Sequence, residues 1–374
     1  MKNISEIDSN FKTGRILADD MVSHDCFEEP FEINGLYRPR ENKNFLRLPE
    51  EYQESDILSD GVKRLMRHTS GGRIRFSTNS PYLAVAVELS SVSRMMHMPS
   101  SGQSGVDLYT CQRGTDDYVF RKIFLPYDMV AETDKYYEGF YEFTREDEFK
   151  EHEVMLHLPL YNGVKRIHIG VKEGCRIFSP IPYKIEKPVI FYGSSITQGG
   201  CASRPGNVYI NHLSRWLCCD FINLGFSGSA KGENELAEFI ARQEMSAFVL
   251  DYDANAPTAE HLRETHYAFY ETIRKAHKKL PVLMISMPRY PKRHMIPDLA
   301  GNRGRDLVDS NQVIMESYLR GRQSGDENLY YIDGESLFGG EEQDACTVDF
   351  LHPNDLGFFR MAKTIYPVLK KALK

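Results

Sequence analysis

No stretch of this chain approaches about 18 consecutive apolar residues, so nothing in it reads as a membrane-spanning helix. The opening MKNISEIDSNFKTGRI also lacks the apolar core of a secretory signal, and the expectation is a soluble, cytoplasmic protein. Positive charge is scarce as well. The net charge is -7 and no Lys/Arg run is long enough to track a phosphate backbone, which argues against nucleic acid as a partner. The seven cysteines are an odd number, scattered without a C-x-x-C pair, and this excludes a disulfide framework or a zinc site of the usual spacing. They read as reduced thiols, most of them small apolar fillers. Internal repeats and low-complexity segments are missing too.

What is present is ordinary globular material. At 374 residues the chain exceeds what one hydrophobic core usually supports, so two domains are expected. Up to about residue 185 the apolar residues come in short alternating runs broken by Gly, Pro, Ser and Asp, the period of strands. Arg73–Phe76 and Tyr82–Leu89 read as a pair joined around Asn79-Ser80-Pro81. Further strands are expected at Val106–Cys111, Tyr118–Phe124, His152–Leu158 and Val164–Val171. No helical stripe of useful length interrupts them, and regularly spaced short strands close as a sandwich or barrel. Residues 1–185 are therefore assigned to an all-β, jelly-roll-like sandwich.

After Pro188 short, fully apolar runs alternate with longer segments of helical period, the signature of β-α-β units around a buried parallel sheet. Strands are expected at Val189–Tyr192, Phe221–Leu224, Ala247–Leu250, Val282–Ile285 and Tyr330–Ile332. Helices are expected at Val208–Leu217, Asn234–Arg242, Ala259–His277, Asp306–Arg320 and Leu356–Leu373, the last kinked or split by Pro367. Residues 186–374 then form a three-layer, doubly wound α/β domain with a five-stranded parallel sheet. The boundary falls near Pro180-Ile181-Pro182. In such sheets the site lies outside the carboxyl ends of the strands.

The first of these strands ends in Gly193-Ser194-Ser195-Ile196-Thr197, which presents a serine where the chain turns. A serine hydroxyl attacks only when a positioned base takes its proton, so the chain must supply a histidine within reach. Near the other terminus stands Asp349-Phe350-Leu351-His352. One loop can hold both titratable side chains, Asp349 accepting from one imidazole nitrogen while the other faces Ser195. Asn354 or Asp355 is more simply an N-cap of the last helix. A developing oxyanion needs donors. Gly228, in Asn223-Leu224-Gly225-Phe226-Ser227-Gly228 after the second strand, can bring a backbone N–H close, and Asn255 after the third strand offers a neutral amide beside the Ser195 and Gly228 amides. Each signal is weak alone. Four such blocks, three of them behind strands and the fourth ahead of the last helix, should rarely coincide by chance.

Together these blocks resemble those of the SGNH, or GDSL, hydrolases. Gly193–Thr197 is similar to their G-D-S-I-T block, with Ser194 in place of the usual aspartate, and the glycine, asparagine and D-x-x-H blocks match the other three. Gly105-Val106-Asp107-Leu108-Tyr109 is similar to the G-x-D-L-Y motif of a β-sandwich domain found ahead of some SGNH domains. The resemblance implies a flavodoxin-like α/β fold and hydrolysis of carboxylic esters or thioesters by Ser195, His352 and Asp349, without metal or organic cofactor. Because members with such sandwich domains are often carbohydrate esterases, it also implies removal of a small acyl group, acetyl above all, from a sugar or related polyol.

Other readings stand beside this one. A lipase-like or thioesterase activity is the alternative within enzymes, and a carbohydrate-binding protein that no longer turns over is the alternative outside them. Arg204 could bind a substrate hydroxyl or carboxylate, or simply hold the loop after the nucleophile. Asp107 and Tyr109 could orient the sandwich against the catalytic domain or line its rim, but read more simply as a buried hydrogen-bonded pair within one strand region. Asp251 and Asp253 flank Asn255 but lack further ligands at a plausible spacing, so no metal is expected. His97, His152, His157, His168, His212, His261, His266, His277 and His294 lack the serine-histidine-acid context and default to surface or core roles.

Overall fold

The computed structural model describes residues 18–126, 135–144, 150–288 and 307–374, with the side chains of 307–309 left aside. The chain divides into two compact units. The first comprises residues 1–47, 67–182 and 203–206, and the second comprises 48–66, 183–202 and 207–374. Three short pieces, 48–66, 183–185 and 203–206, therefore fall on the other side of a 185/186 division. Residues 48–66 join the second unit because they carry α-helical structure and aromatic contacts of their own, Tyr52 meeting Phe239 edge-on at 5.8 Å.

The first unit is a sandwich of two antiparallel sheets. Its strands are β1 (Met21–Asp25), β2 (Glu32–Asn34), β3 (Arg73–Thr78), β4 (Tyr82–Leu89), β5 (Val106–Gln112), β6 (Val119–Phe124), β7 (Tyr136–Glu142), β8 (His152–His157), β9 (Val164–Lys172) and β10 (Ile177–Phe178). One sheet has the order β1-β9-β4-β7 and the other β10-β3-β8-β5-β6, with β2 also on β3. The expected pairing of β3 with β4 does not occur. Each enters a different sheet, and the corner between them is held by Ser80, whose hydroxyl donates to the Tyr82 carbonyl at 2.6 Å and accepts from the Lys172 amide at 3.0 Å. Inward residues of both sheets, among them Phe76, Val85, Val87, Leu108, Val154, Leu156 and Ile169, form one core. At about 25 cal/mol per Å² of apolar surface, burying each of these side chains is worth roughly 2 kcal/mol. Short helices occur in this half of the sequence too, α1 (Pro39–Asn42), α2 (Asp60–Leu65) and α3 (Ser100–Ser104); none is long enough to leave a hydrophobic stripe.

The second unit is the doubly wound α/β domain. Strands β11 (Ile185–Gly193), β12 (Cys219–Gly225), β13 (Ala247–Asp251), β14 (Val282–Ile285) and β15 (Leu329–Ile332) are all parallel, in the order β12-β11-β13-β14-β15. Their centres are apolar on both faces because helices cover both sides. The helices are α4 (Ser195–Gln198), α5 (Tyr209–Leu217), α6 (Asn234–Ala241), α7 (Ala259–Ala276), α8 (Leu307–Gln323) and α9 (Asp355–Ala372). The expected start of α8 at Asp306 and the residue His294 lie outside the described residues. Pro367 does not split α9, which runs unbroken through it; the buried stripe of Phe358, Met361, Ile365 and Leu369 offsets one missing hydrogen bond. Among the described residues no helix is long and apolar enough to cross a membrane.

Candidate active site

The site is built at the carboxyl ends of β11, β12 and β13. Strand β11 ends at Gly193, Ser194 caps the next helix by accepting from the Ile196 amide at 3.2 Å, and Ser195 is the first residue of α4. Ser194 thus supplies the capping oxygen that an aspartate would supply there. The amide of Ser195 lies in the first turn of a helix, where N–H groups have no acceptor within the helix.

The Ser195 hydroxyl is 2.9 Å from Nε2 of His352, although 157 residues separate them. Nδ1 of the same ring is 2.7 Å from Oδ2 of Asp349. A carboxylate only accepts, so Nδ1 carries the proton and Nε2 is left to accept from Ser195. Asp349 also folds its own turn. Its Oδ1 accepts the amides of Leu351 at 3.1 Å and His352 at 2.7 Å, while Phe350 takes a left-handed φ of 63° to let the chain bend that tightly. Burial pushes the Asp349 carboxyl up, but the imidazole and the two amides outweigh it and hold it at about 2. The turn is closed by the Val348 amide on the His352 carbonyl at 3.0 Å, and Asn354 caps α9 by accepting from Gly357 at 3.1 Å.

The remaining blocks are tied to the same turn. The Phe226 amide bonds the Gly193 carbonyl at 2.9 Å, and the Ser227 amide bonds the Gln198 side chain at 2.9 Å. Gly228 has φ +67°, which favours glycine, and nothing stands within 4 Å of where a Cβ would be, so the space beside it is open. Asn255 is 7% exposed and spends one amide hydrogen on the Phe226 carbonyl at 3.0 Å, leaving the other for a ligand. The chain after α4 meets the histidine loop where the Cys201 amide donates to the Pro353 carbonyl at 3.0 Å. Cys201 Sγ lies within 4.8 Å of a His352 ring nitrogen, yet burial, then the Asp349 charge, push its thiol up to about 12. It stays protonated and does not compete with Ser195 as nucleophile.

Arg204, the remaining expected residue, is engaged inside the first unit. One of its terminal nitrogens donates to Asp107 at 2.9 Å and to the Tyr109 hydroxyl at 2.6 Å, and its guanidinium lies 3.8 Å from the centre of the Phe120 ring. Asp107 also accepts the Gly206 amide at 2.6 Å. Asp107 and Tyr109 thus share a third residue, Arg204, as a common partner. Of the two readings of Arg204, these contacts favour the one that holds its loop. Thr197 and Asn223 lie inside the serine and glycine blocks without a role of their own, yet the Asn223 amide donates to the Thr197 carbonyl at 2.7 Å. Gln198 and Tyr209, which bond Ser227 and Thr197, lie outside those blocks and carry no sequence signal.

Comparison with known proteins bears on the family and the fold. Residues 186–370 match the GDSL-like lipase/acylhydrolase family, and residues 22–177 match GxDLY, the N-terminal domain of SGNH-hydrolase-type esterases. Comparison with curated proteins gives no match. Among solved structures, a protein described as a GDSL-like lipase from Bacteroides ovatus is 29% identical, with 94% of this chain and 98% of that one covered at a TM-score of 0.80. The salicylyl-acyltransferase SsfX3 of a tetracycline biosynthetic pathway shares 18% identity over 95% and 98% of the two chains, TM-score 0.74. The acetyl xylan esterase Est2A of the rumen bacterium Butyrivibrio proteoclasticus shares 13% over 94% and 98%, TM-score 0.55. With both of its domains matched and the α/β fold in place, the chain belongs to the GDSL-like lipase/acylhydrolase family of SGNH hydrolases and is a serine hydrolase acting on ester bonds.

Proposed function

We propose that this enzyme hydrolyses carboxylic esters through an acyl-enzyme on Ser195, with His352 as base and Asp349 orienting it, and that its substrate is a small acyl ester, acetyl above all, of a sugar or related polyol. The observation that carries the mechanism is the continuous line Ser195–His352–Asp349, at 2.9 and 2.7 Å. Ser195 Oγ attacks the ester carbonyl as Nε2 takes its proton. The oxyanion is received by the amides of Ser195 and Gly228 and the side chain of Asn255. Nε2 returns the proton to the departing alcohol. Water then attacks the acyl-enzyme, its proton passing to Nε2 and back to Ser195 as the acid leaves. The substrate class rests on the acetyl xylan esterase named above, whose likeness shows the fold, together with the sandwich domain.

The test is release of acetate from acetylated oligosaccharides, beside a chain-length series of aryl esters and thioesters and labelling by a fluorophosphonate. Ser195→Ala should remain folded, lose labelling and lose turnover by several orders of magnitude, because no neighbour can carry the acyl group. Full activity in that variant rules out the mechanism. A preference for long acyl chains or thioesters rules out the substrate class. Transfer of the acyl group to an added alcohol in preference to water would identify an acyltransferase instead.

A further inference from the structure

Helix α4, which carries Ser195, has four residues and cannot hold itself in place. What it is bonded to therefore sets the position of the nucleophile. One residue grips it on both sides of Ser195. At the end of β13 the Asp251 carbonyl accepts the Ser194 amide at 3.1 Å, and its carboxyl oxygen Oδ2 accepts the Thr197 hydroxyl at 3.0 Å. The same Oδ2 accepts from the Tyr209 hydroxyl of α5 at 3.2 Å. Gly193 makes the approach possible, because a Cβ there would collide with the Thr197 hydroxyl and the Asp251 carbonyl. Tyr209 in turn stacks on Phe358 of α9, the helix that follows His352, with ring centres 6.3 Å apart.

Asp251 is 2% exposed, and Thr197 and Tyr209 are fully buried, so none of the three reaches a substrate. We propose that Asp251 is a positioning residue for the nucleophile, its carboxyl holding the Thr197 side of the turn and, through Tyr209, keeping that turn in register with the helix behind His352. The proposal rests on the reading of Ser195 as the nucleophile. Burial, then the neighbouring Asp253, push the Asp251 carboxyl well above the usual carboxylate range, against the two donors that favour its charge. An asparagine, which keeps the acceptor and the shape, should do much of the same work.

The experiment measures kcat and KM on p-nitrophenyl acetate, the rate of fluorophosphonate labelling and thermal unfolding for Thr197→Val, Tyr209→Phe, Asp251→Ala and Asp251→Asn. Thr197→Val and Asp251→Ala should lower kcat and labelling together by roughly 10- to 100-fold with KM nearly unchanged, as a small displacement of a reacting group does. Tyr209→Phe should act in the same direction and less. Asp251→Asn should recover most of what Asp251→Ala loses. Should Asp251→Ala fail to fold, Thr197→Val carries the test alone. A folded Thr197→Val with wild-type kcat and labelling overturns the proposal, and so does an Asp251→Asn enzyme as slow as Thr197→Val. Loss of the catalytic reading itself would show differently, as turnover persisting in Ser195→Ala.

Discussion

In the first unit Asp107 meets Arg204 at 2.9 Å with no part of its side chain exposed; in the second Asp349 meets His352 at 2.7 Å with 38% of its own exposed. Both set an acid against a basic group, and they serve opposite ends. Burial pulls the Arg204 guanidinium down, but Asp107 and Tyr109 outweigh it and leave it above its already high ordinary value. It gives up no proton, so the pair can only hold chain in place. The imidazole of His352 can take and return one, and its turn leaves it open to do so. A fixed ion pair builds an anchor, and an ion pair whose cation exists for part of a cycle builds a catalyst.

The largest effect expected from breaking this contrast is at His352. His352→Ala should lower ester turnover by roughly 10⁴-fold or more while the protein still folds, since the ring keeps 19% of its side chain exposed and sits in a loop outside the sheet core. Wild-type turnover in that variant would reduce the second pair to an anchor like the first. Asn255→Ala should come next, costing roughly 10²- to 10³-fold in kcat, the usual loss for one oxyanion donor. If it mainly unfolds the protein, then its bond to the Phe226 carbonyl is its real function.

Asp107→Ala tests the other member of the comparison. It leaves the Arg204 charge, 21% exposed, without its carboxylate, and removes the acceptor of the Gly206 amide. Removing one partner of a buried pair costs about 3–5 kcal/mol, and the lower end applies because Arg204 keeps some solvent and the Phe120 ring. Chemical denaturation should show that loss. Unchanged stability would mean the pair anchors nothing.

Much of this was readable from residue order alone. The five strands of the parallel sheet declared themselves as short apolar runs because both faces of each are covered, the serine, glycine and asparagine blocks stood where three of those strands end, and the D-x-x-H block stood ahead of the last helix. The sandwich was harder. Strand β1, Met-Val-Ser-His-Asp, is largely half-exposed and has no clean alternation, while β2 and β10 have three and two residues. Nor does any local rule show that β3 and β4 part into different sheets. Contacts distant in sequence were also hidden. Thr197 and Asp251 are 54 residues apart and Arg204 and Asp107 are 97 apart, so each partner looks like an ordinary polar residue until the fold joins them. In sequence Asp251 suggests at most a metal ligand, since a buried acid that accepts from two hydroxyls leaves no pattern in a single sequence.

The smallest expected effect is a displacement of the pH profile. Asp349 is held at about 2 in the folded protein against an ordinary 3.8, so it is ionised over any range in which the enzyme is assayed. The stability its bonds contribute is therefore complete above pH 3.8 and is lost only as pH falls through about 2. An acid limb of the rate profile at higher pH must then belong to the imidazole, which accepts the serine proton only when neutral. Asp349 favours the imidazolium by charge and by hydrogen bond, and Asp349→Asn removes the charge. Without that charge 2.7 Å from Nδ1, the acid limb should move toward lower pH. The plateau rate should fall as well, though by less than in His352→Ala, because the asparagine can still present an oxygen to Nδ1. Turnover of one acetyl ester from pH 4 to pH 9 in both enzymes measures this. A limb that stays where it is, or moves toward higher pH, would mean that the Asp349 charge does not act on the base at all.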